Sequence, residues 1–133
     1  MKQFILDIPR HPSAELKSDS HAAWYVKSRA EASDKNDAIA CILSQGRKYA
    51  NMPWDSCTLH LIFYCNTNRR RDLDNYIARS KKFIDACVFT NVITDDNHNV
   101  IRHGYTGEFV VIKGTRPATR MIFTQLKTAT DGK

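Results

Sequence analysis

Three arginines run straight into two carboxylates at Arg69-Arg70-Arg71-Asp72-Leu73-Asp74-Asn75, and a second acidic pair follows at Thr94-Asp95-Asp96-Asn97. Phosphodiester hydrolysis needs charge neutralised on the scissile phosphate, an activated water and a stabilised leaving oxygen, and magnesium held by carboxylates can supply all of these. Magnesium takes oxygen ligands and keeps several waters, so a small set of carboxylates suffices. In extended chain just ahead of a helix, the i, i+2 spacing of Asp72 and Asp74 points both side chains the same way. Consecutive arginines repel one another and gain from an anionic ligand. Each acid also has an ordinary use: Asp74 as a helix N-cap, Asp72 as a partner for Arg71, and Asp95-Asp96-Asn97 as a polar turn. Their joint arrangement favours a metal beside a phosphate-binding run.

Several elements must position these groups. Cys57 to Cys65 is rich in aromatic and β-favouring residues at strand length, and its end delivers the arginines. Asn75 to Val88 has a helical pattern with Leu73, Tyr76, Ile77, Ser80, Phe83, Ile84, Cys87 and Val88 on its buried side, and Asp74 is a natural cap. Asn91 to Asp96 turns. The second acidic pair reaches the first only if that turn folds back along the helix.

The remaining chain reads as scaffold. Phe4 to Ile8, stopped by Pro9, is a first strand, and His11 to Asp19 is a polar loop. A semi-ordered lead-in over His21 to Lys27 precedes a helix capped by Ser33 or Asp34 and ended at Gly46. Asn51 to Asp55 breaks the chain around Pro53. Val100 to His103 is a short strand; Glu108 to Lys113 and Met121 to Leu126 are two more, separated by Gly114 and Pro117. The expected fold is α/β or layered α+β, one mixed sheet with two main helices in β-α-β-α-β-β order. We expect a single domain over residues 1–127 and a frayed tail over 128–133.

The chain has 133 residues, 42% hydrophobic and 26% charged, which suits an ordinary globular domain able to bury its own core. A formal charge of +6 favours polyanionic partners, but the placement of the basic residues says more than the sum. They thicken at Arg69 to Arg71, at Arg79, Lys81 and Lys82, and at Arg116 and Arg120. Cys41, Cys57, Cys65 and Cys87 form no C-x-x-C pair and read as buried thiols. Without cysteine pairs or a His-x-x-x-His spacing, zinc at His98 or His103 is disfavoured. The apolar N-terminal run is too short for a signal peptide, and no run approaches a membrane span, so a reducing cytoplasm fits.

The string Arg70-Arg71-Asp72-Leu73-Asp74-Asn75, then Phe83-Ile84-Asp85-Ala86, then Asp95-Asp96, resembles the RusA-type Holliday junction resolvases, crossover-junction endonucleases common in prophages. The resemblance is strong over residues 69–101 and loose in the flanking elements. It implies a RusA-like fold and a homodimer that binds four-way DNA junctions and cuts two strands symmetrically. It also implies magnesium, for which manganese could substitute, held by Asp72, Asp74 and Asp96, with Asp95 and Asp85 as supporting acids. No membrane and no small-molecule cofactor enter this picture.

The family also carries a helix lysine, and here the sequence departs from the pattern. Counting from Asn75 lands on Ala78, whereas counting back from Asp85 lands on Lys81, because the helix is longer between Asn75 and Asp85. At about 100° per residue, Lys81 and Asp85 still lie within roughly 20° of Asp74's direction, with Lys81 displaced about 10 Å along the axis. Lys81 is the favoured lysine for phosphate contact or leaving-group stabilisation, with Lys82 and Arg79 as rivals. Arg69, Arg70, Arg71, Arg79 and Lys82 are the expected DNA contacts; a solvated helix face is the plain alternative for the helix cations. Trp24 and Tyr25 are read as core packing rather than as base-stacking groups. A rival to the nuclease is a DNA-binding module that lost activity when its helix lengthened; another is a nuclease acting on other branched or duplex DNA.

Overall fold

Alternation is cleanest in Cys57–Cys65, where every second residue is buried, and this strand becomes an interior member of the sheet. The structure, a computed structural model, describes residues 2–16, 21–45 and 49–126. The tail expected over 128–133 and the helix stop at Gly46 lie outside the described residues. In chain order the elements are β1 (Gln3–Ile8), a 3-10 turn (Ala14–Leu16), α1 (Trp24–Gln45), β2 (Cys57–Cys65), α2 (Leu73–Arg79), α3 (Lys81–Phe89), β3 (Ile101–Val111) and β4 (Ala118–Gln125). The sheet has the order β1-β4-β2-β3: β4 runs antiparallel to both β1 and β2, and β2 runs parallel to β3. It is therefore a mixed sheet in an α+β layer, as the order of patterns predicts.

Phe4, Leu6 and Ile8 of β1, Leu59, Leu61 and Phe63 of β2, and Met121 and Phe123 of β4 are buried in one core with Ala38 and Ile42 of α1 and Phe83, Ile84 and Cys87 of α3. The parallel β2–β3 pair needs a crossover, and α2 with α3 provides it. Gly107 of β3 lets α2 come close, since a Cβ there would stand 3.2 Å from Ile77 Cδ1 and 3.3 Å from the Leu61 carbonyl. Among the described residues no helix is long and apolar enough to cross a membrane.

Four expectations change. The first long helix starts at Trp24, not at Ser33 or Asp34. Asp34 is fully buried in mid-helix, where its carboxylate pairs with Arg10 and accepts from the Ser13 hydroxyl and, at 2.9 Å, from the Ser13 N–H. A side chain satisfied by tertiary partners does not need the helix end. Trp24 and Tyr25 are 79% and 54% exposed, so they do not pack in the core. The helix after the arginines breaks at Ser80, whose N–H turns to the Ile77 carbonyl at 3.1 Å and whose hydroxyl bonds the Tyr76 carbonyl at 2.9 Å. Finally, Val100–His103 and Glu108–Lys113 are not separate strands. β3 runs through both, absorbing a register shift against β2 where His103 and Gly104 have positive φ.

Candidate active site

The arginine run leaves β2 as extended chain and enters α2 through Asp72. Asp72 is the N-cap: one carboxylate oxygen accepts the Asp74 N–H at 3.0 Å, and the other accepts the Asn75 side-chain amide at 3.3 Å. Asp74 thus lies inside the first turn and does not cap it, where a negative charge favours the helix dipole. Both aspartates remain exposed, as do Arg69 and Arg70. Arg71 is spent locally, donating to the Thr67 carbonyl at 2.8 Å, the Arg69 carbonyl at 3.2 Å and the Thr67 hydroxyl at 3.1 Å.

Arg79 departs further from the expected DNA contact. It is only 9% exposed, and its guanidinium donates to the Pro12 carbonyl and, at 3.1 Å, to the Ser13 carbonyl, while lying 4.3 Å over the Tyr76 ring. The positive charge staples α2 to the N-terminal segment and is withdrawn from the surface. His11, beside it, donates from Nε2 to the Tyr64 carbonyl at 2.7 Å and packs edge-on to Phe63 and Tyr76. Burial pushes the His11 pKa below its ordinary value, and the nearby Arg79, Arg71 and Arg69 charges push the same way, against the hydrogen bond to Tyr64.

Past the break at Ser80, Lys81 reaches across to the turn before β3. Its ammonium bonds the Asp96 carboxylate and, at 3.1 Å, the Asp85 carboxylate. Lys82 lies 3.2 Å from the other Asp85 oxygen and 3.5 Å from Glu31 of α1. Burial lowers its pKa, but Asp85 and Glu31 outweigh that and hold it above the ordinary lysine value. An open cleft here is lined by Lys35, Lys81, Asp85, Phe89, Asp95 and Asp96.

The turn that carries Asp96 is built in detail. Asn91, with φ of 63°, ends α3 in a left-handed residue, and the N–H groups of Asn91 and Val92 return to Val88 and Cys87 at 3.1 and 2.9 Å. Trp54 then clamps the chain, donating to the Val92 carbonyl at 2.9 Å and accepting from Thr94 N–H at 3.0 Å. Asp95 spends its carboxylate on the Asp96 N–H at 2.7 Å and the Asn97 amide at 3.1 Å, which leaves Asp96 to face Lys81. Tyr105, delivered by β3 just after its bulge, donates its hydroxyl to the Asp96 carbonyl at 3.2 Å. Burial raises the Tyr105 pKa, and Asp85 adds to the rise.

The structure therefore brings Lys81, Asp85, Asp95 and Asp96 together and leaves Asp72 and Asp74 at the far end of α2. Among the described residues no group of three or more His, Cys, Asp or Glu side chains is arranged to hold a metal ion. His98 stands exposed on the same turn. No local signal in the sequence marks Tyr105, Glu31 or Lys35: Tyr105 meets the Asp96 carbonyl, Glu31 meets Lys82 and Lys35 lines the cleft, all through tertiary contacts. The cysteines are free; Cys57, Cys65 and Cys87 are buried and Cys41 is half-buried, with burial pushing the Cys57 thiol up to about 12. No protein-family model and no curated protein matches this chain.

Proposed function

We propose that this chain is a magnesium-dependent, structure-selective DNA endonuclease of the RusA type, acting as a cytoplasmic homodimer on four-way junctions. What supports the reading is the reach of Lys81 to Asp96 across the turn, which joins the helix lysine and the second acidic pair despite the longer helix. The break at Ser80 lies within the lengthened stretch, between Asn75 and Asp85.

The donor chemistry suits a hard divalent cation, since Asp72, Asp74 and Asp96 offer only carboxylate oxygens. Asp72 and Asp74 would hold it from the start of α2, and Asp96, which the structure does not gather with them, would join from the turn. The bound cation would supply charge neutralisation at the scissile phosphate and activation of the attacking water. Asp96 faces Lys81 in the structure, so ligation by Asp96 requires Lys81 to give it up; Asp85, already 3.1 Å from the same ammonium, is where that charge stays anchored. Arg69 and Arg70, exposed just ahead of Asp72 in the chain, would hold the phosphate backbone.

Purified protein should nick a synthetic four-way junction in magnesium and leave it intact in EDTA. Asp74→Asn should abolish cutting and spare binding. A junction that survives magnesium and manganese titrations sinks the enzyme reading; if such protein still binds the junction, the chain is a binding module.

A further inference from the structure

The chain has two tryptophans, and the fold treats them oppositely. Trp54 is 1% exposed, stacked on Tyr49 and bonded through its indole N–H to Asn51 at 3.0 Å. Trp24, the first residue of α1, is 79% exposed; Tyr25 beside it is 54% exposed, with ring centroids 6.2 Å apart at 89°. In that edge-to-face arrangement ring faces remain open to solvent. Two adjacent aromatics left this bare give up burial free energy that the same residue types collect elsewhere in the fold, and such patches mark contact surfaces.

The setting of the pair indicates what it contacts. The first turn of α1 contains no acid, so the positive end of the helix is not neutralised there. Arg29 is exposed and stands four residues after Tyr25, one turn along on the same helix face. It borders a shallow groove with Ser13, Val26 and Ser33, in which Glu15 is the acid. The neighbouring surface is polar, with exposed Ser28 and Arg29, and lacks the continuous apolar face a membrane helix would present.

An exposed indole face, buttressed edge-on by a second ring and with a cation one turn away, matches an unpaired nucleobase and its phosphate. We propose that Trp24, Tyr25 and Arg29 form a stacking platform for unpaired nucleotides of single-stranded nucleic acid. The placement is coherent with the rest of the surface. Glu31 meets Lys82 and Lys35 lies 5.0 Å over Phe89, so α1 and α3 run parallel. Followed backwards, one helix leads to Trp24 and the other leads through α2 towards Asp74 and the exposed arginines. Stacking itself needs no metal and is separable from any cutting.

The differing exposure of the two tryptophans makes the test direct. Full-length protein is titrated in EDTA at low salt with a twelve-nucleotide oligothymidylate, reading tryptophan emission and the anisotropy of a labelled strand. The solvent-exposed emission of Trp24 should be quenched saturably, and more by the single strand than by a duplex of equal length. Trp24→Ala should abolish that quench and weaken binding about tenfold or more, whereas Trp24→Phe, which keeps a ring face, should retain most of the affinity. The platform is overturned if wild-type emission stays unchanged while anisotropy shows saturation, or if Trp24→Ala binds as tightly as wild type. It is equally overturned if the emission shifts to the blue with protein concentration alone, which would mean that the rings cover one another between copies. A chain that stacks oligothymidylate on Trp24 but never cuts a junction loses the nuclease reading alone; one that cuts but binds strands without Trp24 loses only the platform.

Discussion

Lys81 and Asp96 lie fifteen residues apart, on α3 and on the turn before β3, and the ammonium of one is bonded to the carboxylate of the other. The same ammonium holds Asp85 at 3.1 Å, so Lys81 sits between two acids. Its side chain is 56% exposed, and an exposed ion pair contributes little to stability, about 0–1 kcal/mol.

A residue cheap to the fold and central to the cleft should separate activity from stability. Lys81→Met should move the thermal midpoint by no more than a few degrees and reduce junction cutting about a hundredfold, the usual cost of losing a preorganised charge in a reaction site. Calorimetry and a gel cleavage assay on one preparation decide it. Cutting at the wild-type rate would remove Lys81 from the reaction.

How much of this could be read in the chain depends on the range of the interaction. Strand β2 was legible because its alternation is local, and so was the run from Arg69 to Asp74, whose placement ahead of a helix needs only neighbours. The start of α1 was not: Trp24 to Ser33 faces solvent for much of its length, so no apolar period announces a helix. Asp34 looks like a cap by composition and is a buried ion-pair partner by tertiary structure. The break at Ser80 hides inside a good helical pattern because a serine hydroxyl bonding back to the preceding turn leaves no mark on hydrophobic spacing. The contacts of Lys81 and Tyr105 with Asp96 depend on how a turn and a bulge fold, which no spacing encodes.

Arg79 separates from its basic neighbours in a second test. Arg79→Met removes a buried cation bonded to two carbonyls and stacked on Tyr76, and should cost about 3 kcal/mol in a denaturant titration. Arg69→Ala and Arg70→Ala should leave stability within about 0.5 kcal/mol and weaken DNA binding, each lowering its salt dependence by about one unit of slope. If Arg79→Met leaves the unfolding midpoint in place, the staple described here does not hold α2 to the N-terminal segment.

Asp34 should prove the most sensitive acid in the chain. Asp34→Asn leaves Arg10 against a neutral amide and disturbs both bonds from Ser13 around a fully buried side chain; Arg10 is itself 29% exposed and keeps Asp37, so the loss should be about 2–3 kcal/mol, the scale of hydrogen bonds to a charged group. Chemical denaturation measures this, and Asp37→Asn is the control. Asp37 also pairs with Arg10, at 3.0 Å, but its side chain is 50% exposed, so its loss should stay under about 1 kcal/mol. Equal losses for the two variants would mean that burial of Asp34 does not set its importance.

The last prediction concerns pH. The folded protein holds the His11 pKa below its ordinary value of 6.5, chiefly by burial and also through the cations of Arg79, Arg71 and Arg69. The unfolded chain therefore binds the proton more readily, and the linkage has one sign: the stability is fully present above 6.5 and is lost as pH falls from there towards the lower folded pKa. The unfolding midpoint should drop as pH is lowered from 7 to 5. His11→Gln, which can still donate to the Tyr64 carbonyl but cannot charge in this range, should flatten that part of the curve. Every other group is common to both proteins, so the difference between the two curves isolates His11. A wild-type curve that rises on acidification relative to the variant would show that the imidazole is favoured in its charged form, against the environment that surrounds it.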